Sequence, residues 1–432
     1  MEYSRVEIRP GVWLTHLRED KFKTACFSVA VLSQLNRETA SMNALIPFVL
    51  RRGTSAYPTM EALSARLEEL YGTVIEPSVR RIGEIQCSGF YASFPEDDYL
   101  PEGEAVLSDV LGLTVDLLLS PVTRGGLLLP AYVESERDNL LDLIASRLNN
   151  KRAYAISRCL EEMCCFEDFA TGRYGDEASC KSINYKKLSR HYRTLIQTSP
   201  IELFYCGRAS LAAVRGLLRD LLATLPRGEL DTEIGTEIRM NAVEESPRFT
   251  EETMDVAQAN LVIGWRLGEC MEVPDFPALY VFNELFGGSP SSKLFLNVRE
   301  KLSLCYYASS FIDIRKGLML VSSGIQETNF HAAKEEIFAQ LEAVRTKNFT
   351  PEDLETAKSG VISDLRSIPD SQGALEGFYL SQAVAGADYG PLDLAELVTE
   401  VTAEQVLAIA ESVDCDQIYL LKPEGGQQDD AE

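Results

Sequence analysis

Apolar runs of strand length alternate with longer apolar runs at helical spacing along most of the chain. "VWLTHLRED" and "TACFSVAVLSQ" predict two strands of one hairpin, closed across "REDKFK". "ETASMNALIPFVLRRGT" predicts an apolar helix ending in a Gly-Thr turn. "TMEALSARLEELYG" predicts an amphipathic helix that Thr59 caps, with Glu61 in its first turn and Gly72 at its end. "TVIEPSVRRIGEIQCSGFYASF" predicts paired strands. "YLPEGEAVLSDVLGLTVDLLLSP" predicts a long helix closed by Ser-Pro, and a second long helical region is expected from about Ala131 to Phe166.

The order then recurs. "ANLVIGWRLG" reads as a strand, "FPALYVFNELFGG" and "SPSSKLFLNVREKLS" as helices, and "LCYYASSFIDIRKGLMLVSSGI" as paired strands. "FHAAKEEIFAQLEAVRTKN" is a long helix, and "TPEDLETAKSGVISDLRSI" starts another with Thr350 as cap and Pro351 at its first position. The layout of "ALSARLEELYGTVIEPSVRRIGEIQCSGFYASF" matches that of "SSKLFLNVREKLSLCYYASSFIDIRKGLMLVSSGI". A duplicated α+β unit is therefore expected: residues 1–226, a polar linker 227–252, residues 253–422 and a disordered tail 423–432. Two such halves most simply enclose a shared cleft.

Composition narrows the function more by exclusion than by assignment. The 432 residues carry 66 acids against 41 bases, a net charge of −25, which disfavours nucleic acid and anionic membrane as partners. The first twenty residues contain no apolar signal core, and no run reaches the roughly 18 apolar residues that span a bilayer. A soluble, unexported, cytoplasmic protein is expected. The ten cysteines form no CxxC and are expected as buried free thiols. His16, His191 and His331 are far apart, have no metal-pair spacing, and read as surface or capping residues. "FGGSPSSK" lacks the phosphate-loop spacing and reads as a helix-to-helix turn capped by Ser289 or Ser291.

The stretch after that turn is more specific. "KLFLNVREKLSLCYYASS" resembles the C-terminal-half signature of the insulinase/pitrilysin family, the inverzincin metallopeptidases, whose form is close to "SRLFxxLREKxGLAYSVSS". The match runs through Lys293, Leu294, Phe295, Arg299, Glu300, Lys301, Leu304, Tyr306, Ser309 and Ser310. The resemblance implies that Arg299 and Tyr306, with Tyr307 one residue along, hold the substrate peptide across the cleft from a metal. Arg donors and a Tyr hydroxyl suit a carbonyl or a developing oxyanion. Without the resemblance, the two residues read as a surface ion pair and a half-buried strand residue.

Active members of that family carry H-x-x-E-H with four residues between it and a Gly, binding zinc through two His on one helix face. Counted back from Gly53, those positions hold Ala44, Pro47 and Phe48. Pro47 is expected to kink the helix or delay its start. The family's third ligand, a Glu in a setting like "ERxVVxxEI", falls at Leu143 in "ESERDNLLDLI"; Asp142 is one residue off. No metal or other cofactor is expected on this chain.

The resemblance implies an insulinase/LuxS-like metallopeptidase fold with mainly antiparallel sheets, bacterial origin, and a catalytically inactive subunit. Such a subunit would lend peptide binding to a zinc-bearing homologue in a heterodimer, with the zinc in the partner and no autonomous activity. A non-enzymatic peptide- or protein-binding scaffold is the alternative reading.

Overall fold

The computed structural model describes residues 2–268 and 276–424. In chain order the first elements are β1 (Glu2–Arg9), β2 (Val12–Arg18), β3 (Thr24–Gln34), α1 (Ala40–Leu50), α2 (Met60–Glu69), β4 (Val74–Ile82), β5 (Ile85–Pro95) and α3 (Leu107–Leu119). A two-residue pair, β6 (Thr123–Arg124) and β7 (Leu127–Leu128), precedes α4 (Pro130–Ala145) and α5 (Lys151–Met163). Then come α6 (Glu177–Lys181), α7 (Tyr185–Thr198), β8 (Ile201–Gly207), α8 (Leu211–Leu221), β9 (Arg248–Met254) and β10 (Ala259–Arg266). The remainder holds α9 (Phe276–Asn283), β11 (Cys305–Asp313), β12 (Leu318–Ile325), α10 (Phe330–Arg345), α11 (Pro351–Ser367), α12 (Gln372–Val384), α13 (Pro391–Thr399), α14 (Ala403–Ser412) and β13 (Asp414–Pro423). Glu284–Gly288 and Leu294–Lys301 are wound as π-helix. Among the described residues no helix is long and apolar enough to cross a membrane.

The fold is α+β with mainly antiparallel sheets. One compact unit comprises Met1–Ala145, Thr171–Gly235 and Pro369–Asp388; its sheet runs β1-β2-β8-β3-β5-β4. The expected β2–β3 hairpin does not form, because β8 lies between them, parallel to β2 and antiparallel to β3. All seven residues of β8 are buried, so a central slot suits it. Strand β2 pairs instead with β1 through the turn at Gly11, whose φ of 67° favours glycine.

Strand β3 is buried on both faces. Ala25, Phe27, Val29 and Val31 point into the core formed with α1, α3, α7 and α8, while Ala30 and Leu32 pack with Leu380 of α12. Polar contacts dock α12: Gln372 Nε2 donates to the carbonyls of Thr24 (2.8 Å) and Cys206 (3.1 Å). The buried Glu376 accepts from Ser28 Oγ at 2.9 Å and pairs with Arg80.

The other unit comprises Ser146–Ala170, Thr236–Ile368 and Tyr389–Glu432, with sheet order β11-β12-β10-β13-β9. Here α5 covers one face of the sheet: Cys159 and Met163 pack on Val262, Leu318, Leu320 and Tyr419. Gly264 makes room for this, since a Cβ there would come within 2.6 Å of Met163 Sδ. Trp265, one residue on, turns to Phe286 and Phe338. The fully buried Arg266 donates from Nε to Asp416 at 2.8 Å and from Nη2 to Glu167 at 2.7 Å. Lys316 Nζ reaches the second oxygen of Glu167 at 2.7 Å, and Arg248 the second oxygen of Asp416 at 2.7 Å. Burial alone would raise the Glu167 carboxyl, but the bonds from Arg266 and Lys316 outweigh it and hold the carboxyl low.

These units do not follow the contiguous division expected at the polar linker. Residues 146–170 belong with the later sheet, and 369–388 with the earlier one. The expected long helix from Ala131 to Phe166 is correspondingly broken: α4 ends at Ala145, and α5 restarts with Asn150 accepting from the Ala153 N–H. The linker also contains a strand, since β9 pairs in parallel with β13. Of the expected tail, Pro423 ends β13, and residues 425–432 lie outside the described residues.

Several local expectations hold. Thr59 accepts from the Ala62 N–H, and Thr350 forms a capping box with Asp353 ahead of Pro351 at the first position. Others need correction. The turn after the π-helical Glu284–Gly288 is capped by Ser292, which accepts from the Phe295 N–H, not by Ser289 or Ser291. The nine cysteines among the described residues are free, but Cys165 is exposed and Cys305 and Cys415 are half-buried; Cys270 lies outside those residues.

Candidate functional site

Helix α1 contains Pro47 without starting late; it begins at Ala40, and the Pro47 carbonyl accepts from the Arg51 N–H at 3.0 Å. Ala44 has no exposed surface, Pro47 is buried and Phe48 half-buried. Leu143 stands on α4, 38% exposed. None of the four side chains offers an atom that binds zinc, so these residues do not fit the metal that the family pattern places here. Among the described residues no group of three or more His, Cys, Asp or Glu could hold a metal ion.

Asn43, one residue before Ala44 on the same helix, anchors a polar network that sequence reasoning missed. The ring Nε2 of His191 on α7 lies 2.5 Å from Asn43 Oδ1. Asn43 Nδ2 donates to Ser33 Oγ and Gln86 Oε1, both at 3.0 Å, and Gln86 Nε2 donates to the carbonyls of Ala40 and Arg173. Burial, with the nearby Lys187 charge, lowers the His191 pKa and so favours the neutral ring. At the end of α1, Arg52 binds the buried Glu136 of α4 at 2.9 Å and lies over the Tyr132 ring. Glu136 is the first acid of the "ERxVVxxEI"-like stretch and was the available signal. His16 is thus a buried structural residue, not a surface one, whose Nε2 bonds the Ala209 carbonyl at 2.9 Å, and His191 is half-buried in a structural hydrogen bond.

The second motif is differently placed. Arg299 projects from the π-helical turn Leu294–Lys301, stacks over Phe295 with 4.6 Å to the ring centre, and makes only a loose 3.6 Å contact with the exposed Glu300. The chain then enters β11 through Ser303, whose φ of 51° is left-handed at the position where the family signature has Gly. Register slips between Cys305 and Tyr307 against β12, leaving Tyr306 as the extra residue of a β-bulge. Tyr306 is accordingly turned out and is 60% exposed. Tyr307 points inward: its hydroxyl donates to Asn260 Oδ1 at 2.9 Å, and its ring lies over Gly324. Burial raises the Tyr307 pKa, so the hydroxyl keeps its proton and acts as a donor.

Two α+β units, an α1 with no zinc-binding side chain at the family's ligand positions, and a half-buried Arg299 with an exposed Tyr306 are the features of a peptidase-like protein. The chain belongs to the M16, or insulinase/pitrilysin, peptidase family, among its inactive members. The family profile described as "Peptidase M16 inactive domain" matches residues 182–361. The "Probable inactive metalloprotease YmfF" of Bacillus subtilis (strain 168) is 31% identical over 408 residues, 94% of each chain. An "Uncharacterized zinc protease" of Mycobacterium tuberculosis is 26% identical over 318 residues, 71% of this chain and 70% of that one. Among solved structures, a conserved protein from Enterococcus faecalis V583 superposes with a TM-score of 0.87 at 26% identity, over 99% of this chain and 100% of that one. A Helicobacter pylori protease shares the fold at a TM-score of 0.79 and 15% identity, over 98% of this chain and all of that one.

Proposed function

We propose that this chain is the non-catalytic subunit of a cytoplasmic heterodimeric zinc peptidase. Its zinc-bearing homologue supplies the metal, and Arg299 and Tyr306 supply part of the grip on the peptide substrate. One observation carries the reading: Tyr306 is exposed and Arg299 makes only a loose contact with the exposed Glu300, while the family's ligand positions on α1 hold no metal donor. Tyr306, 60% exposed, leaves its ring and hydroxyl within reach of a ligand. The guanidinium and phenol are hydrogen-bond donors that suit the carbonyls of an extended peptide.

The test is reconstitution. Mixed with a zinc-bearing homologue, the chain should raise peptide cleavage, and Arg299→Ala or Tyr306→Phe should remove that gain without preventing association. Cleavage indifferent to both substitutions would sink the mechanism and leave the scaffold reading.

A further inference from the structure

The face of β11 beside Tyr306 holds a second cation that the family signature does not contain. Arg152, from the exchanged helix α5, lies over the Tyr307 ring with 4.2 Å to its centre and donates to Ser309 Oγ at 2.6 Å. These two contacts fix the plane of an exposed guanidinium. Among the described residues no carboxylate pairs with it, although the chain has 66 acids to 41 bases. Close by, the Gln258 side-chain nitrogen is buried with no acceptor. Gln258 and Tyr307 converge on Gly324, where a Cβ would come within 2.4 Å of both side chains. The Tyr307 hydroxyl is turned to Asn260, and the Asn260 amide to the Gln258 carbonyl, so neither quenches the spare donors. The patch is thus rich in donors.

We propose that Arg152, its guanidinium held on Tyr307 and Ser309, forms a subsite for a carboxylate of the bound peptide. A planar guanidinium held by stacking suits two-pronged binding of a carboxylate, and the aromatic platform lowers the entropy cost of holding it. The carboxylate has two sources, the peptide's C-terminus or an acidic side chain, and they share this chemistry. The inference rests on the peptide-binding reading above and sharpens it toward acidic or C-terminal peptide segments.

Fluorescence anisotropy on the full chain tests it with three labelled forms of one otherwise uncharged decapeptide: a free C-terminus, a C-terminal amide, and the amide with one internal Glu. At least one carboxylate form should bind about tenfold tighter than the plain amide, and which one identifies the source. Arg152→Met should abolish the preference and Arg152→Lys restore part of it, with unchanged circular dichroism. Equal binding of all three peptides, or a preference that survives Arg152→Met, overturns the subsite. If in that case Arg299→Ala still weakens the amide peptide, the peptide-binding reading stands alone. Failure of every peptide to bind overturns both.

Discussion

Helix α1 and strand β11 carry the two motifs that the family resemblance singles out, and their surroundings are opposite. Ten of the eleven residues of α1 are buried, and its polar Asn43 is consumed by His191, Ser33 and Gln86. On β11 a bulge turns Tyr306 outward, and Ser303 at its entry sits in a backbone conformation that costs a non-glycine residue about 1–2 kcal/mol. One region maximises packing; the other gives up packing to present side chains. The positions where the family pattern places zinc ligands thus lie on a core helix with no zinc-binding side chain, while Tyr306 faces solvent.

The largest expected effect would come from returning a ligand to α1. Ala44→His has no space and no hydrogen-bond partner provided, so it should cost about 3 kcal/mol or more in urea denaturation. A variant that keeps its stability and binds zinc would break the contrast. Next, His191→Leu leaves Asn43 Oδ1 without its donor and should cost about 1–3 kcal/mol. That site also predicts a pH dependence. Because the folded state lowers the His191 pKa below its unfolded value near 6.5, the unfolded chain binds more protons as pH falls. The stability from His191 is therefore complete at pH above that value and is lost as pH falls from it toward the folded pKa. His191→Leu should flatten this part of the stability–pH curve.

On the open side the effects are smaller. Ser303→Gly relieves the left-handed strain, offset by added freedom in the unfolded chain, and should raise stability by up to about 1 kcal/mol in the same denaturation assay. Tyr306→Phe, at an exposed position, should change stability by no more than about 0.5 kcal/mol while altering peptide cleavage in the reconstituted pair. A large loss of stability from Tyr306→Phe would mean that the hydroxyl serves the fold and would erase the distinction.

The lack of donors at Ala44, Pro47, Phe48 and Leu143 was legible at once, because an absent imidazole or carboxylate needs no fold to be seen. So were the spacing from Arg299 to Tyr306, the caps at Thr59 and Thr350 and the α+β class, since periodicity and capping are local chemistry. Pairing was not. The pattern of β3 announces two buried faces, but it does not say that β8 and α12, far along the chain, cover it. The apolar stripe of α5 says only that the helix must be buried; Val262 and Tyr419 decide against which sheet. The outward turn of Tyr306 and the seat of Arg152 over Tyr307 depend on a register slip and on that same docking. The sequence by itself determined which groups are available and which surfaces must leave water. Tertiary structure decided their partners, because contacts distant along the chain are chosen by shape and charge together.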